Sequence, residues 1–172
     1  MMKKVLTATL VLLSIFTFFV TAYAYSENVV ASLDEKSVTV ETLATYVEDV
    51  AGKNYESWLR DKDGLRKLAD FYINRTLLLE YARQTVNKND TIVTNHNARS
   101  VDEDVMYLTT LLKIEVQDKV HVTDDDVRDY MGKNKTASEK QARQEMESDQ
   151  KNKLMGALVE KVRAGHDIRY FQ

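Results

Sequence analysis

Apolar residues recur every three or four positions along most of the chain between residues 39 and 164, which is the spacing of one helix face. The broadest apolar stripe follows Asp63 and predicts a long helix that contacts more than one neighbour. With no proline and only five glycines in the whole chain, long helices meet few interruptions, so the pattern predicts a mainly all-α fold. The stripe after Asp63 consists of Leu65, Leu68, Tyr72, Leu79, Ala82 and Val86, widened by Phe71, Leu77 and Leu78.

Capping residues set the expected limits of two further helices. Thr39 is a suitable N-cap for a helix with apolar positions up to Val50, and Gly52 is a suitable end. Thr94 or Asn95 is the expected cap of a later helix. Its predicted apolar face comprises Ala98, Val101, Val105, Leu108, Leu112 and Val116, with Tyr107, Leu111 and Ile114 beside it.

Two helices are predicted in the last third of the chain. Thr123 with Asp126 approximates a capping box at the start of a short helix, which Gly132 is expected to close. The final helix is predicted over residues 138–164, with Gly165 as its stop. Few apolar residues occur in its first half, so that half is expected to be solvated.

Short β-prone runs flank the helical region. Residues 28–33 and 37–40, separated by the polar residues 34–36, predict a small hairpin. Alternating apolar residues at 168–171 predict a further short strand. Residues 53–64 have the least regular pattern, which is typical of a loop.

The first 24 residues have the pattern of a secretory signal. Lys3 and Lys4 precede an uncharged, mostly apolar run over residues 5–20, and Ala22 and Ala24 provide the small residues of a cleavage site. We therefore expect cleavage after Ala24, leaving one domain over residues 25–172 in the periplasm or outside the cell. The competing interpretation is an uncleaved membrane anchor, but the apolar run is shorter than the roughly 20 residues that a bilayer requires.

The composition excludes several functional classes. The net charge of −3, without a basic face, argues against nucleic-acid binding. The absence of cysteine excludes disulfides and thiol chemistry, so the fold has to be stabilised by helix packing.

No motif for catalysis, metal binding or cofactor binding is found in the sequence. His96, His121 and His166 lie far apart, and none has a second ligand at the spacing of a helical metal site. The acidic run 124–126 lacks the alternating ligands and central glycine of a calcium loop, and a capped helix start explains it better. We therefore predict no catalytic residue, no metal and no cofactor.

Tyr55 and Trp58 form the one aromatic pair for which the sequence indicates a function. An exposed aromatic pair in the irregular segment suits the capture of apolar peptide segments. The more common role of such a tryptophan is to anchor an irregular segment to the core, and this alternative stays open.

The order of the elements resembles the N-terminal domain of the SurA family of periplasmic chaperones, and the matching part of parvulin-type peptidyl-prolyl isomerases such as PrsA and PpiD. Residues 68–82 match the family pattern Leu-x-x-Leu-Ile-x-x-x-Leu-Leu-x-x-x-Ala in part, and residues 122–130 match Val-Thr-Asp-x-x-Val-x-x-Tyr. Residues 142–164 are similar to the helix that closes the same domain. The resemblance implies an orthogonal helical domain with a short N-terminal β-hairpin.

The chain departs from the isomerases after Lys135, where their catalytic domain is inserted. Residues 136–172 predict only a helix and a tail, so we expect a chaperone without isomerase activity. It would bind unfolded or partly folded exported proteins, as in outer-membrane protein assembly, and would not stay inserted in a membrane after signal cleavage. The expected client-binding residues are Tyr55, Trp58, Met106, Tyr107 and Tyr130.

Two alternatives use the same features. In the first alternative, the chain is a dedicated assembly or structural subunit that binds one fixed partner or a second copy of itself as a homodimer. In the second, it is an accessory chain of a parvulin-family isomerase. Binding of several unrelated unfolded proteins would favour the chaperone, whereas a single stoichiometric complex would favour the dedicated subunit.

Overall fold

The computed structural model describes residues 28–87, 102–134 and 138–171. These residues are mostly helical, with a small three-stranded sheet, so the prediction of a mainly helical protein is confirmed. The chain packs as two units. The described part of the first unit comprises residues 28–72 and 166–171, and that of the second comprises the residues between them. The predicted signal segment and its cleavage site lie outside the described residues.

The sheet of the first unit contains both predicted β-elements. Strand β1 (Val29–Leu33) lies in the centre and pairs antiparallel with β2 (Lys36–Thr39) on one side and with β3 (Ile168–Tyr170) on the other. The register shifts between Val29 and Ala31, and such a bulge interrupts the alternation of the strand. Val30 and Ala31 are consequently both buried. The predicted hairpin and the predicted final strand are thus confirmed.

Asp34 connects the hairpin turn to the segment that precedes β3. It has a positive φ of 53°, which aspartate tolerates better than most residues. Its backbone N–H donates to the Asp167 carbonyl at 2.7 Å, and its carboxylate accepts from the Asp167 N–H at 2.9 Å. The other carboxylate oxygen lies 2.9 Å from Nδ1 of His166. The hydrogen bonds from His166 and from the Asp167 backbone lower the pKa of Asp34.

The first helix follows β2 directly. Helix α1 (Val40–Tyr46) is capped by Thr39, whose hydroxyl accepts from the Thr42 N–H at 3.2 Å. It continues as a π-helical turn (Val47–Ala51) and ends at Gly52, whose φ of 91° suits glycine. The predicted cap and the predicted end are both confirmed.

The segment predicted to be a loop is regular instead. It forms a 3₁₀ helix (Lys53–Arg60), followed at once by α2 (Lys62–Thr85). Asp61 joins the two helices, since its side chain accepts from the Gly64 N–H at 2.8 Å. The loop prediction was wrong because the helical spacing of Tyr55, Trp58 and Leu59 extends over little more than one turn and was overlooked among the polar residues.

Helix α2 carries most of the predicted stripe into the core. It begins in the first unit and ends in the second. Its buried apolar residues are Leu68, Ala69, Ile73, Leu77, Leu78, Leu79 and Ala82.

Helix α3 (Glu103–Glu115) of the second unit differs in part from its predicted face. Asp102 caps it by accepting from the Asp104 N–H at 3.0 Å, and the predicted caps at 94 and 95 lie outside the described residues. Val105, predicted to lie in the stripe, is 44% exposed, whereas Leu111 is buried. Val116 of the predicted stripe is buried as expected, and Ala98 and Val101 lie outside the described residues. The stripe prediction therefore fails at Val105, because the spacing does not show which flank of an apolar face meets its neighbours.

Helices α4 (Asp124–Lys133) and α5 (Glu139–Arg163) match their predictions more closely. The capping box of Thr123 and Asp126 is complete, with hydrogen bonds of 3.1 and 2.9 Å in the two directions. Gly132 does not close α4, which runs one residue further. A 3₁₀ turn (Gln117–Lys119) separates α3 from the segment before α4. The predicted limits of α5 are confirmed by the Ser138 cap and by the φ of 91° at Gly165.

Candidate functional site

Tyr55 and Trp58 lie on the same face of the 3₁₀ helix. Since this helix has three residues per turn, side chains three positions apart are eclipsed. The two rings meet edge to face, with centroids 5.0 Å apart and an interplanar angle of 85°. Both side chains are half-buried. The sequence indicated this pair, and the helix that the sequence did not predict is what brings the rings together.

Phe71 of α2 joins the pair. Its ring centroid lies 6.1 Å from that of Tyr55 and 5.8 Å from that of Trp58. Phe71 is nevertheless 42% exposed, so the expectation that it widens the buried stripe was wrong. We refer to Tyr55, Trp58 and Phe71 as the aromatic surface.

Lys67 places a positive charge against the aromatic surface. Its Nζ lies 5.4 Å from the Trp58 ring centroid, within the range of a cation–π interaction. Because Lys67 and Phe71 are four residues apart, they occupy the same face of α2. The sequence spacing shows that these two residues share a helix face, but only the fold shows that this face meets Trp58.

Gly64 fixes the backbone beneath the aromatic surface. A Cβ atom at this position would lie 2.3 Å from the carbonyl oxygen of Trp58 and 2.6 Å from its Cα. Only glycine therefore allows the start of α2 to approach the 3₁₀ helix this closely. Trp58 is thus held by its backbone, while its ring contacts the other aromatic side chains. The close backbone contact is what we expect of an anchor, and the half-exposed ring is what we expect of a surface residue.

The remaining candidate residues lie in the second unit. Met106 and Tyr107 are half-buried on α3. Tyr130 of α4 donates its hydroxyl to Oε2 of Glu145 on α5 at 2.7 Å. This hydrogen bond raises the pKa of Tyr130 and lowers the pKa of Glu145. The structure therefore brings Tyr55 and Trp58 together, while Tyr130 forms part of a separate contact between two helices.

The two histidines that the structure describes each form a hydrogen bond to another element. His166 pairs with Asp34, and the backbone N–H of His121 donates to the side-chain carbonyl of Gln150 at 2.9 Å. His96 lies outside the described residues. Within the described ranges, no group of three or more metal-ligating side chains converges. Of the helices in those ranges, none is long and apolar enough to cross a membrane.

Comparison with known proteins finds no similar protein. The chain matches no protein-family model, no curated protein and no solved structure. The resemblance to the SurA family therefore rests on the sequence patterns and on the order of the elements alone.

Proposed function

We propose that this protein is an exported, non-enzymatic chaperone that binds unfolded or partly folded polypeptides at the aromatic surface. The observation that carries the proposal is the contact of three aromatic rings, of which Phe71 is 42% exposed. Aromatic side chains offer a large apolar contact area at a small cost in conformational entropy. They therefore suit a surface that has to accept many different apolar segments.

Three further features support the proposal. The cation of Lys67 beside Trp58 adds a polar edge to an apolar patch, as in protein interfaces with a buried centre and a hydrated rim. The excess of acidic over basic residues keeps a protein with exposed aromatic rings soluble. The SurA-like order of elements supports the same class of function.

Trp58 is the only tryptophan of the chain and reports directly on this surface. A client without tryptophan should shift the Trp58 emission to shorter wavelength, because binding removes water from the half-exposed indole ring. In parallel, the purified protein should slow the aggregation of an unfolded β-barrel protein at near-stoichiometric ratios without ATP.

A pair of matched variants tests whether the aromatic surface binds the client. Phe71→Ala should weaken both the emission shift and the protection from aggregation. Ile114→Ala removes a comparably exposed apolar side chain, 45% against 42%, from another helix and should leave both unchanged. Replacing Tyr55 and Trp58 together by alanine is the stronger test of the site, provided that a melting curve shows the fold intact. Equal protection by wild type and Phe71→Ala would refute the site.

Client binding at the aromatic surface requires no prolyl isomerisation, so we propose that the chain has no prolyl isomerase activity. A protease-coupled assay on a proline peptide tests this. Catalysis that persists after removal of host isomerases would contradict it. If the wild-type protein gives no protection at all but forms one stoichiometric complex, the dedicated assembly subunit becomes the better hypothesis.

A further inference from the structure

An open groove lies beside the sheet of the first unit, away from the rings that define the aromatic surface. Its volume is about 350 Å³, within the roughly 300–1,000 Å³ of small-molecule and peptide side-chain sites. The start of β1, the start of α1, the first turns of α2 and the end of β3 form its walls. The residues that line it are Asn28, Val29, Val30, Val40, Lys62, Asp63, Leu65, Arg66, Tyr170 and Phe171.

Lys62 and Arg66 supply the groove with two positive charges. They are four residues apart on α2 and so lie on the same face, where like charges repel each other. Among the described residues, neither forms an ion pair with a carboxylate. An anion between them would remove this repulsion and gain charge-assisted hydrogen bonds.

Tyr170 contacts both Arg66 and an acidic residue one turn further along α2. Asp70, one turn further along α2, is the carboxylate at the spacing of a helical ion pair with Arg66. The Tyr170 hydroxyl instead donates to Oδ1 of Asp70 at 2.6 Å. The guanidinium of Arg66 lies over the ring of the same tyrosine, 5.2 Å from its centroid. Tyr170 thus contacts Arg66 through its ring and Asp70 through its hydroxyl, and it holds both at the wall of the groove.

The opposite part of the groove is apolar. Val30, Val40 and Leu65 lie along it, and Phe171 is 48% exposed. The start of α2 does not by itself attract the anion, because Asp61 already accepts from the Gly64 N–H. The selectivity of the groove therefore comes from side chains: two cations against the single carboxylate of Asp63, a net positive charge next to an apolar wall.

We propose that this groove binds the C-terminal end of an apolar polypeptide. The terminal carboxylate lies between Lys62 and Arg66, and the last side chains pack against the apolar wall. Asn28 and Asp63, which also line the groove, offer side-chain acceptors to the peptide N–H groups, and a hydrocarbon chain has no donor for them. That the ligand is a polypeptide rests on the proposed function, but the groove is a different site from the aromatic surface.

A fluorescein-labelled hexapeptide that ends in Leu-Phe with a free carboxylate is the probe, titrated against the full chain by fluorescence anisotropy. The same peptide with a C-terminal carboxamide should bind roughly tenfold more weakly or worse, because it loses the charged hydrogen bonds. Raising the salt concentration should weaken the free acid more than the amide. Equal affinity of the two peptides would overturn the proposal.

Substitutions then assign the binding to the groove. Lys62→Gln and Arg66→Gln should each weaken the free acid several-fold and leave the amide nearly unchanged. Arg60→Gln removes a nearby charge that does not line the groove, and it should have little effect on either peptide. Since Arg66→Gln also removes the contact with Tyr170, Arg66→Lys keeps the charge and should restore part of the binding. An effect of Arg60→Gln as large as that of Lys62→Gln would refute the groove.

Two controls test the selectivity of the groove and its independence from the aromatic surface. Octanoate should compete weakly, and displacement of the peptide at comparable concentrations would show that the groove takes any apolar carboxylate and would overturn the peptide assignment. Phe71→Ala should leave peptide affinity unchanged. If peptide binding persists while protection from aggregation fails, the proposed function is wrong and the groove stands. The reverse result refutes the groove alone.

Discussion

Replacing Gly64 by alanine should destabilise the protein, although alanine is the better helix former. At an unconstrained helical position this change stabilises by about 1 kcal/mol. At Gly64, however, the new Cβ would lie 2.3 Å from the Trp58 carbonyl oxygen, 2.6 Å from its Cα and 2.8 Å from its carbonyl carbon. Contacts below 3.0 Å are essentially never observed for Cβ atoms, and the atoms involved are backbone, so no side chain can rotate away.

The size of the effect follows from the opposing contributions. Forcing extra volume into a packed site costs about 1–3 kcal/mol, and a clash with backbone belongs at the upper end. Subtracting the gain of about 1 kcal/mol in helix propensity leaves a net loss of about 2 kcal/mol. Since the start of α2 must move away from Trp58, the emission of this single tryptophan should change as well.

Gly156 provides the matched control. It also lies inside a helix, but an added Cβ would find nothing within 4 Å. Gly156→Ala should therefore raise the free energy of unfolding by up to about 1 kcal/mol. Urea denaturation followed by far-ultraviolet circular dichroism measures both variants. If Gly64→Ala is as stable as the wild type, or gains as much free energy of unfolding as Gly156→Ala, then the 3₁₀ helix and α2 do not approach each other this closely.

Three further predictions concern single contacts. Ionised Asp34 stabilises the fold because its pKa is lowered, so this contribution is present above its ordinary value of 3.8 and is lost as the pH falls through the lowered pKa. Asp34→Asn should accordingly be less stable near neutral pH, with a difference that shrinks on acidification in urea titrations at several pH values. Thr123→Ala should cost about 1 kcal/mol through loss of the α4 cap, whereas Thr45→Ala, at an exposed position of α1, should cost much less, as thermal unfolding would show. Glu145→Gln should bring the raised pKa of Tyr130 back towards 10.0, seen as a change in the ultraviolet titration that is absent when Tyr130→Phe is the background.

The parts of the fold that the sequence predicted depend on local chemistry. Thr39, Thr123 and Ser138 cap helices by bonding backbone groups three residues away, so the sequence around them suffices. Gly165 ends α5 because its positive φ suits glycine, again a local property.

The prediction errors arise where residues distant in sequence determine which side chains are buried. Phe71 and Leu78 are seven residues apart, about two helical turns, and so lie on nearly the same face of α2. One is 42% exposed and the other 7%, so the spacing alone does not tell which turns of this face are covered. The candidate site shares this limit: the sequence indicated Tyr55 and Trp58, but the third ring and the adjacent cation required the fold.

The segment that completes the sheet has a consequence for the order in which the protein assembles. Residues 166–171 follow the whole second unit in the chain, yet they form β3 and the contacts with Asp34. Until these residues have been synthesised and delivered, one side of β1 has no partner, and an unpaired strand edge readily recruits other chains. The second unit, by contrast, is contiguous in sequence and has all its residues earlier. The first unit to begin is therefore the last to be completed, and any delay at the end of synthesis leaves its sheet open to neighbouring chains.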